Sequence, residues 1–154
     1  MSRDDTTDVT GASTRPPAPW PMMLPDRDSA PWWDALGRHE LVAQRCGACG
    51  TWRWPLRAIC GRCGSFDATV EVLSGRATVA SFVVNHHAFS PLVEPPYVVV
   101  LARLDEQDDI CIPGAWGGAQ DGSDLTIGAP LRVDFDDVVE PDGREVTLIR
   151  WRAG

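Results

Sequence analysis

The sequence predicts a mainly β protein: a short N-terminal helix, a zinc ribbon, and a C-terminal Greek-key barrel of the OB type. Three observations predict it. Four cysteines fall in two close pairs, Cys46-Gly-Ala-Cys49 and Cys60-Gly-Arg-Cys63, with ten residues between the pairs. After Cys63 the chain breaks into short β-rich runs separated by turn residues. Before the cysteines, Trp32, Trp33 and Leu36 share one face at helical spacing.

Residues 1–28 read as a disordered, proline-rich leader. The stretch from Arg15 to Pro25 holds five prolines, which block helix and sheet pairing and favour extended backbone. Within it, Trp20, Met22, Met23 and Leu24 form an apolar cluster that reads equally as a packing segment or as part of an untethered tail. The first eight residues are polar and acidic, unlike a signal peptide, and no apolar run approaches the ~20 residues that cross a bilayer.

Residues 29–67 read as helix plus ribbon. Ser29 is the expected N-cap, Pro31 lies in the first turn and Gly37 is the expected stop. Glu40 to Arg45 is extended and leads into the first cysteine pair. Each C-x-x-C places two thiolates on one tight knuckle, and two facing knuckles supply the four soft donors of a closed tetrahedral zinc site. Two disulfides or one redox-active pair are the alternatives; the repeated spacing selects structural zinc, held by Cys46, Cys49, Cys60 and Cys63. Gly47, Gly50, Gly61 and Gly64 are expected to tolerate the knuckle backbone. Trp52, Trp54, Pro55 and Ile59 are expected to cover the site.

Residues 68–154 read as the OB-fold. Val70 and Val72 flank Glu71, Ala77–Val84 is β-rich, and Tyr97–Leu104 is so apolar that burial on both faces is expected. Ile110–Ile112, Leu131–Phe135 and Val146–Trp151 complete five or six strands, the last after the turn Pro141-Asp142-Gly143.

Charge and composition exclude some chemistry. The net charge is −8, and all 14 basic residues are arginine, so no lysine is present to form a Schiff base. The ribbon is locally basic, with Arg45, Arg53, Arg57 and Arg62 and no acidic residue between Leu41 and Phe66. That face could meet phosphates or an acidic partner, or simply keep the module solvated. The barrel half is acidic, which argues against a nucleic-acid-binding module despite the ribbon and the OB pattern. Four thiolate ligands place the chain in a reducing cytoplasm.

Candidate contact residues stand outside the ribbon. His86 and His87, with Phe89 following, open a loop stiffened by Pro91, Pro95 and Pro96; no nucleophile or acid stands at a telling spacing, so the loop reads as a binding surface. Trp116 sits in Pro113–Gly122, a glycine-rich stretch read as a mobile loop presenting one aromatic. Cys111 lies between two isoleucines and reads as a small core residue. The acidic clusters Asp105–Asp109 and Asp134–Asp137 lack a calcium-loop pattern and read as solvated ends.

The order of these features resembles a known family. A tryptophan helix, Gln44-Arg45-Cys46 through Cys63, Ser74-Gly75-Arg76, a proline-rich loop before Pro96-Tyr97-Val98-Val99, and Ile127-Gly128-Ala129-Pro130-Leu131 are similar to the domain of unknown function 35 family, over residues 29–152. The resemblance implies a rubredoxin-like zinc ribbon joined to an OB-fold, acting beside thiolase-like subunits. It also implies a hetero-oligomer in which an acyl-CoA substrate lies at or near the interface and the partner supplies the reacting groups. The expected function is that of a non-catalytic subunit of an aldolase cleaving steroid side-chain CoA thioesters. An accessory role in an acyl-CoA thiolase or acyltransferase is the alternative.

Overall fold

The computed structural model describes residues 25–88, 94–140 and 143–154. It holds one helix, α1 (Ala30–Leu36), and eight strands: β1 (Val42–Cys46), β2 (Trp52–Arg53), β3 (Ala68–Val72), β4 (Arg76–Asn85), β5 (Tyr97–Leu104), β6 (Cys111–Trp116), β7 (Pro130–Val139) and β8 (Glu145–Ala153). Strands β2-β1-β3 form a small antiparallel sheet, and β4-β5-β6-β8-β7 form a closed barrel. β4 returns to β7 to close the barrel, and β6 and β8 run parallel, as a five-stranded OB barrel requires.

Helix α1 begins after Ser29 and ends before Gly37, as expected, but neither residue caps it in the expected way. Ser29 precedes it, but its hydroxyl caps nothing in the helix. Instead Ser29 Oγ accepts the Asp26 N–H at 3.0 Å while Asp26 Oδ1 accepts the Ser29 N–H at 2.7 Å. This reciprocal box sits one turn upstream, with Asp26 in the capping role. Gly37 stays in the right-handed region; the left-handed residue is His39, at φ 57°. Trp32, Ala35 and Leu36 are the buried face; of the expected set, Trp32 and Leu36 are buried while Trp33 is half-buried against the core.

Three strand expectations change. Val70 and Val72, assigned to the barrel half, pair with β1 instead, in the register Val42–Val72 and Gln44–Val70. The ribbon sheet therefore extends past residue 67, because its central strand needs a partner on each edge. Strand β5 buries only Val98, Val100, Ala102 and Leu104; Leu101 on its other face is 37% exposed. The first part of the stretch expected to be a loop, Pro113 to Trp116, belongs to strand β6, paired with β5 from Arg103–Cys111 to Val99–Ala115. The Asp134–Asp137 cluster likewise lies within β7, where Asp134 and Asp136 pair with Arg152 and Arg150 of β8.

Ribbon and barrel share one core. Trp32 and Leu36 of α1, Val42 and Ala43 of β1, and Val79, Val100, Ile112 and Trp151 of the barrel belong to one buried cluster. Gln107, in the β5–β6 turn, ties the two units further. Its Oε1 accepts the Trp52 N–H at 2.9 Å and its Nε2 donates to the Trp52 carbonyl at 3.3 Å, so one side-chain amide completes the edge of β2.

Candidate metal centre

The two knuckles are near copies of each other. In the first, the Gly50 N–H donates to the Cys46 carbonyl at 2.8 Å and the Cys46 N–H to the Thr51 carbonyl at 3.0 Å. In the second, Gly64 donates to Cys60 at 2.8 Å and Cys60 to Ser65 at 2.9 Å. Each fifth residue must turn left-handed, and Gly50 and Gly64 do so at φ 69° and 74°. Gly47 is needed for another reason: a Cβ there would lie 2.1 Å from the Asp67 carboxylate. Gly61 shows neither constraint.

These turns aim four sulfurs at one point. All four lie within 4.8 Å of one another, with Cys46 and Cys63 Sγ 3.6 Å apart and Cys49 and Cys60 Sγ 3.8 Å apart. A tetrahedron with Zn–S bonds of about 2.3 Å has edges of about 3.8 Å, whereas a disulfide needs about 2.05 Å. All five cysteines are free thiols. The donor set fits zinc, and as four protein ligands it leaves no open position for a substrate.

The surroundings favour thiolate at Cys49 and Cys60. Thr51, through its hydroxyl and then its backbone N–H, lowers the Cys49 thiol to about 6. The Thr51 hydroxyl in turn accepts from Arg62 Nη1 at 3.1 Å. Backbone N–H groups of Cys63 and Arg62 lower Cys60. At Cys63 the Ser65 N–H pulls downward, but the neighbouring Cys49 sulfur and desolvation prevail and push it up to about 12. Four such sulfurs repel as anions, and a divalent cation resolves that repulsion.

The other expected contact residues do not converge on this site. Trp20 and Phe89 lie outside the described residues. His86 and His87 are exposed just past the end of β4. Trp116, expected on a mobile loop, is only 9% exposed at the end of β6, and its indole N–H donates to Asp124 at 2.8 Å. Cys111 is half-buried at the start of β6.

One histidine escaped the sequence reading. His39 stacks on Phe135 with ring centroids 5.2 Å apart, and its Nε2 lies 3.1 Å from both Asp137 oxygens. Nothing in the local sequence flags it, since its partners are 96 and 98 residues away. Thr147 donates to Asp137 at 2.7 Å, so the carboxylate stands between hydroxyl and imidazole. An activated nucleophile needs the imidazole in the middle, so this trio is structural.

A three-stranded ribbon with four converging thiols, joined to a closed five-stranded barrel, defines a zinc-ribbon OB-fold protein. Comparison with known proteins is specific: residues 33–68 match the ChsH2 rubredoxin-like zinc ribbon domain and residues 70–136 match the ChsH2 C-terminal OB-fold domain. The chain belongs to this ChsH2, or DUF35, family. A chain of the Ltp2-ChsH2(DUF35) aldolase is 34% identical, with a TM-score of 0.75, covering 86% of this chain and 98% of that one. A protein of Thermomonospora curvata named "Probable enoyl-CoA hydratase alpha subunit" is 38% identical over 121 residues, 79% of this chain and 37% of its own length. The 3-oxo-4,17-pregnadiene-20-carboxyl-CoA hydratase alpha subunit of Mycobacterium tuberculosis is 38% identical over 121 residues, 75% of this chain and 38% of its own length. The chain thus spans under two-fifths of these two relatives. Among the described residues no helix is long and apolar enough to cross a membrane.

Proposed function

We propose that this chain is a non-catalytic subunit that docks on a thiolase-like partner to form an acyl-CoA aldolase, acting on CoA thioesters of steroid side chains. The observation that carries this reading is the match of ribbon and barrel together to 98% of an aldolase chain at 34% identity. The pregnadiene-carboxyl-CoA in the name of the mycobacterial relative supports a steroid-skeleton thioester. The site itself supports a docking role, because a closed four-thiol centre offers a substrate no coordination position.

Retro-aldol cleavage needs a base to take the proton of the β-hydroxyl. The Cα–Cβ bond then breaks, a carbonyl forms at Cβ, and the electron pair rests on the thioester enolate until Cα is protonated. The His39–Asp137 pair leads to no nucleophile, and we assign base and enolate-stabilising groups to the partner. We assign partner contact to the leader around Trp20 and to the loop of His86, His87 and Phe89. A reducing cytoplasm suits a site built on free thiols.

Co-expression with a thiolase-like protein encoded nearby tests the reading. The expected result is one complex on size exclusion that converts a β-hydroxyacyl-CoA to a carbonyl product and a shortened acyl-CoA, with neither chain active alone. Two separately eluting proteins, with full activity in either, would overturn it. The two hydratase names favour a second reading, an accessory role beside a hydratase, which predicts a complex that hydrates an enoyl-CoA without breaking carbon–carbon bonds.

A further inference from the structure

Arg53 of β2 is an electrostatic anomaly. All three guanidinium nitrogens are buried, and none has a hydrogen-bond partner among the described residues. A buried guanidinium without an acceptor is unfavourable, because desolvation is not offset by pairing. The residue lines a cavity of about 760 Å³ between the ribbon and the β5–β6 turn. Arg57 and Arg62 also line it, as do the half-buried indoles of Trp52 and Trp54. Asp108 and Asp109 line it too, but neither pairs with Arg53; Asp109 accepts from Gln107 Nε2 at 2.5 Å.

We propose that this cavity binds a phosphate group of a phosphorylated ligand, with Arg53 as its deep anchor. A guanidinium fork matches two phosphate oxygens at once, and a phosphate has a further oxygen for Arg57 or Arg62. Three arginines line the cavity against two aspartates, so positive charge is left over for an anion. The volume is that of a small-molecule site, far larger than a carboxylate tip. Under the proposed function the ligand is coenzyme A, whose phosphates lie at the end remote from the thioester. The identity of the ligand rests on that reading; the phosphate site does not.

The test uses the full, zinc-loaded chain, titrated calorimetrically with coenzyme A, dephospho-coenzyme A, inorganic phosphate and phosphate-free pantetheine. Saturable binding of at least one phosphorylated probe is expected, with pantetheine silent. Saturation by inorganic phosphate as tight as by coenzyme A identifies a free-anion site; tighter coenzyme A binding identifies the nucleotide end. Arg53→Met should weaken binding at least tenfold yet melt at or above the wild-type temperature, since it removes an unpaired buried charge. If that variant does not fold, exposed Arg57→Ala with Arg62→Ala should still weaken binding several-fold. Silence of every phosphorylated probe, or binding unchanged in the variants that fold, would overturn the site. Loss of a protein complex in Arg53→Met without any phosphate binding would instead assign Arg53 to a partner's carboxylate. Phosphate binding by a chain that forms no complex would remove the aldolase reading and leave this site standing.

Discussion

Cys46 and Cys60 each hold a buried corner of the metal centre while Cys49 and Cys63 face outward. Loss of any one thiolate removes a quarter of the ligand set, and metal binding in such modules is coupled to folding by about 10 kcal/mol or more. Cys46→Ser should therefore lose zinc and ordered structure together, read as metal content by atomic absorption and as circular dichroism; a folded, metal-free variant would contradict this. The cysteine spacing made these ligands legible, because a knuckle is local and closes within six residues. Gly47 was legible only as a knuckle glycine; its crowding by Asp67 depends on a residue 20 positions away. Acid sensitivity is also decided by contacts. Asp124 is held below the usual carboxylate range by the Ala119 N–H and then by the Trp116 indole. Its folded value lies under its unfolded one, so its stabilisation is complete above about pH 4 and is lost as pH falls through the folded value. Asp124→Asn should flatten the acid limb of the melting-temperature profile, narrowing its gap to wild type toward pH 3.

Secondary elements show which signals are local. Apolar or β-rich runs located β4, β5 and β8; period-two alternation located β7, since a half-buried strand writes its pleat into its residues. It could not assign β3 to a sheet, because pairing with β1 is a choice between distant edges. The same limit applies to Gln107, whose amide pairs with β2 across 55 residues of sequence. Gln107→Ala should strip two backbone groups of their partners at a part-buried edge, costing about 1–3 kcal/mol in urea unfolding and speeding exchange of the Trp52 amide. Gly75, at the joint between ribbon and barrel, has φ 72°, and a Cβ there would lie 2.6 Å from Val133 Cγ1. Gly75→Ala therefore adds a steric clash to a left-handed strain of about 1 kcal/mol, and should destabilise more than Gly64→Ala, whose Cβ meets nothing within 4 Å.

At the scale of the whole molecule, one buried cluster runs from α1 through the ribbon into the barrel. Net stability of a domain is about 5–15 kcal/mol, comparable to what a structural zinc contributes. Removal of zinc by a chelator should therefore lower the melting temperature of the entire chain in one transition, followed by tryptophan fluorescence and far-ultraviolet dichroism. Two separate transitions would show that the shared core does not couple ribbon to barrel.

The sequence by itself determined the metal ligands, the helix face and the β character of the C-terminal half, because each is written in residues only a few positions apart. Only the tertiary structure decided which sheet β3 joins, where Trp116 points, how His39 reaches Asp137 and why Arg53 is buried without a partner among the described residues. Those outcomes depend on burial and pairing between distant segments, and no short-range pattern in the chain encodes them.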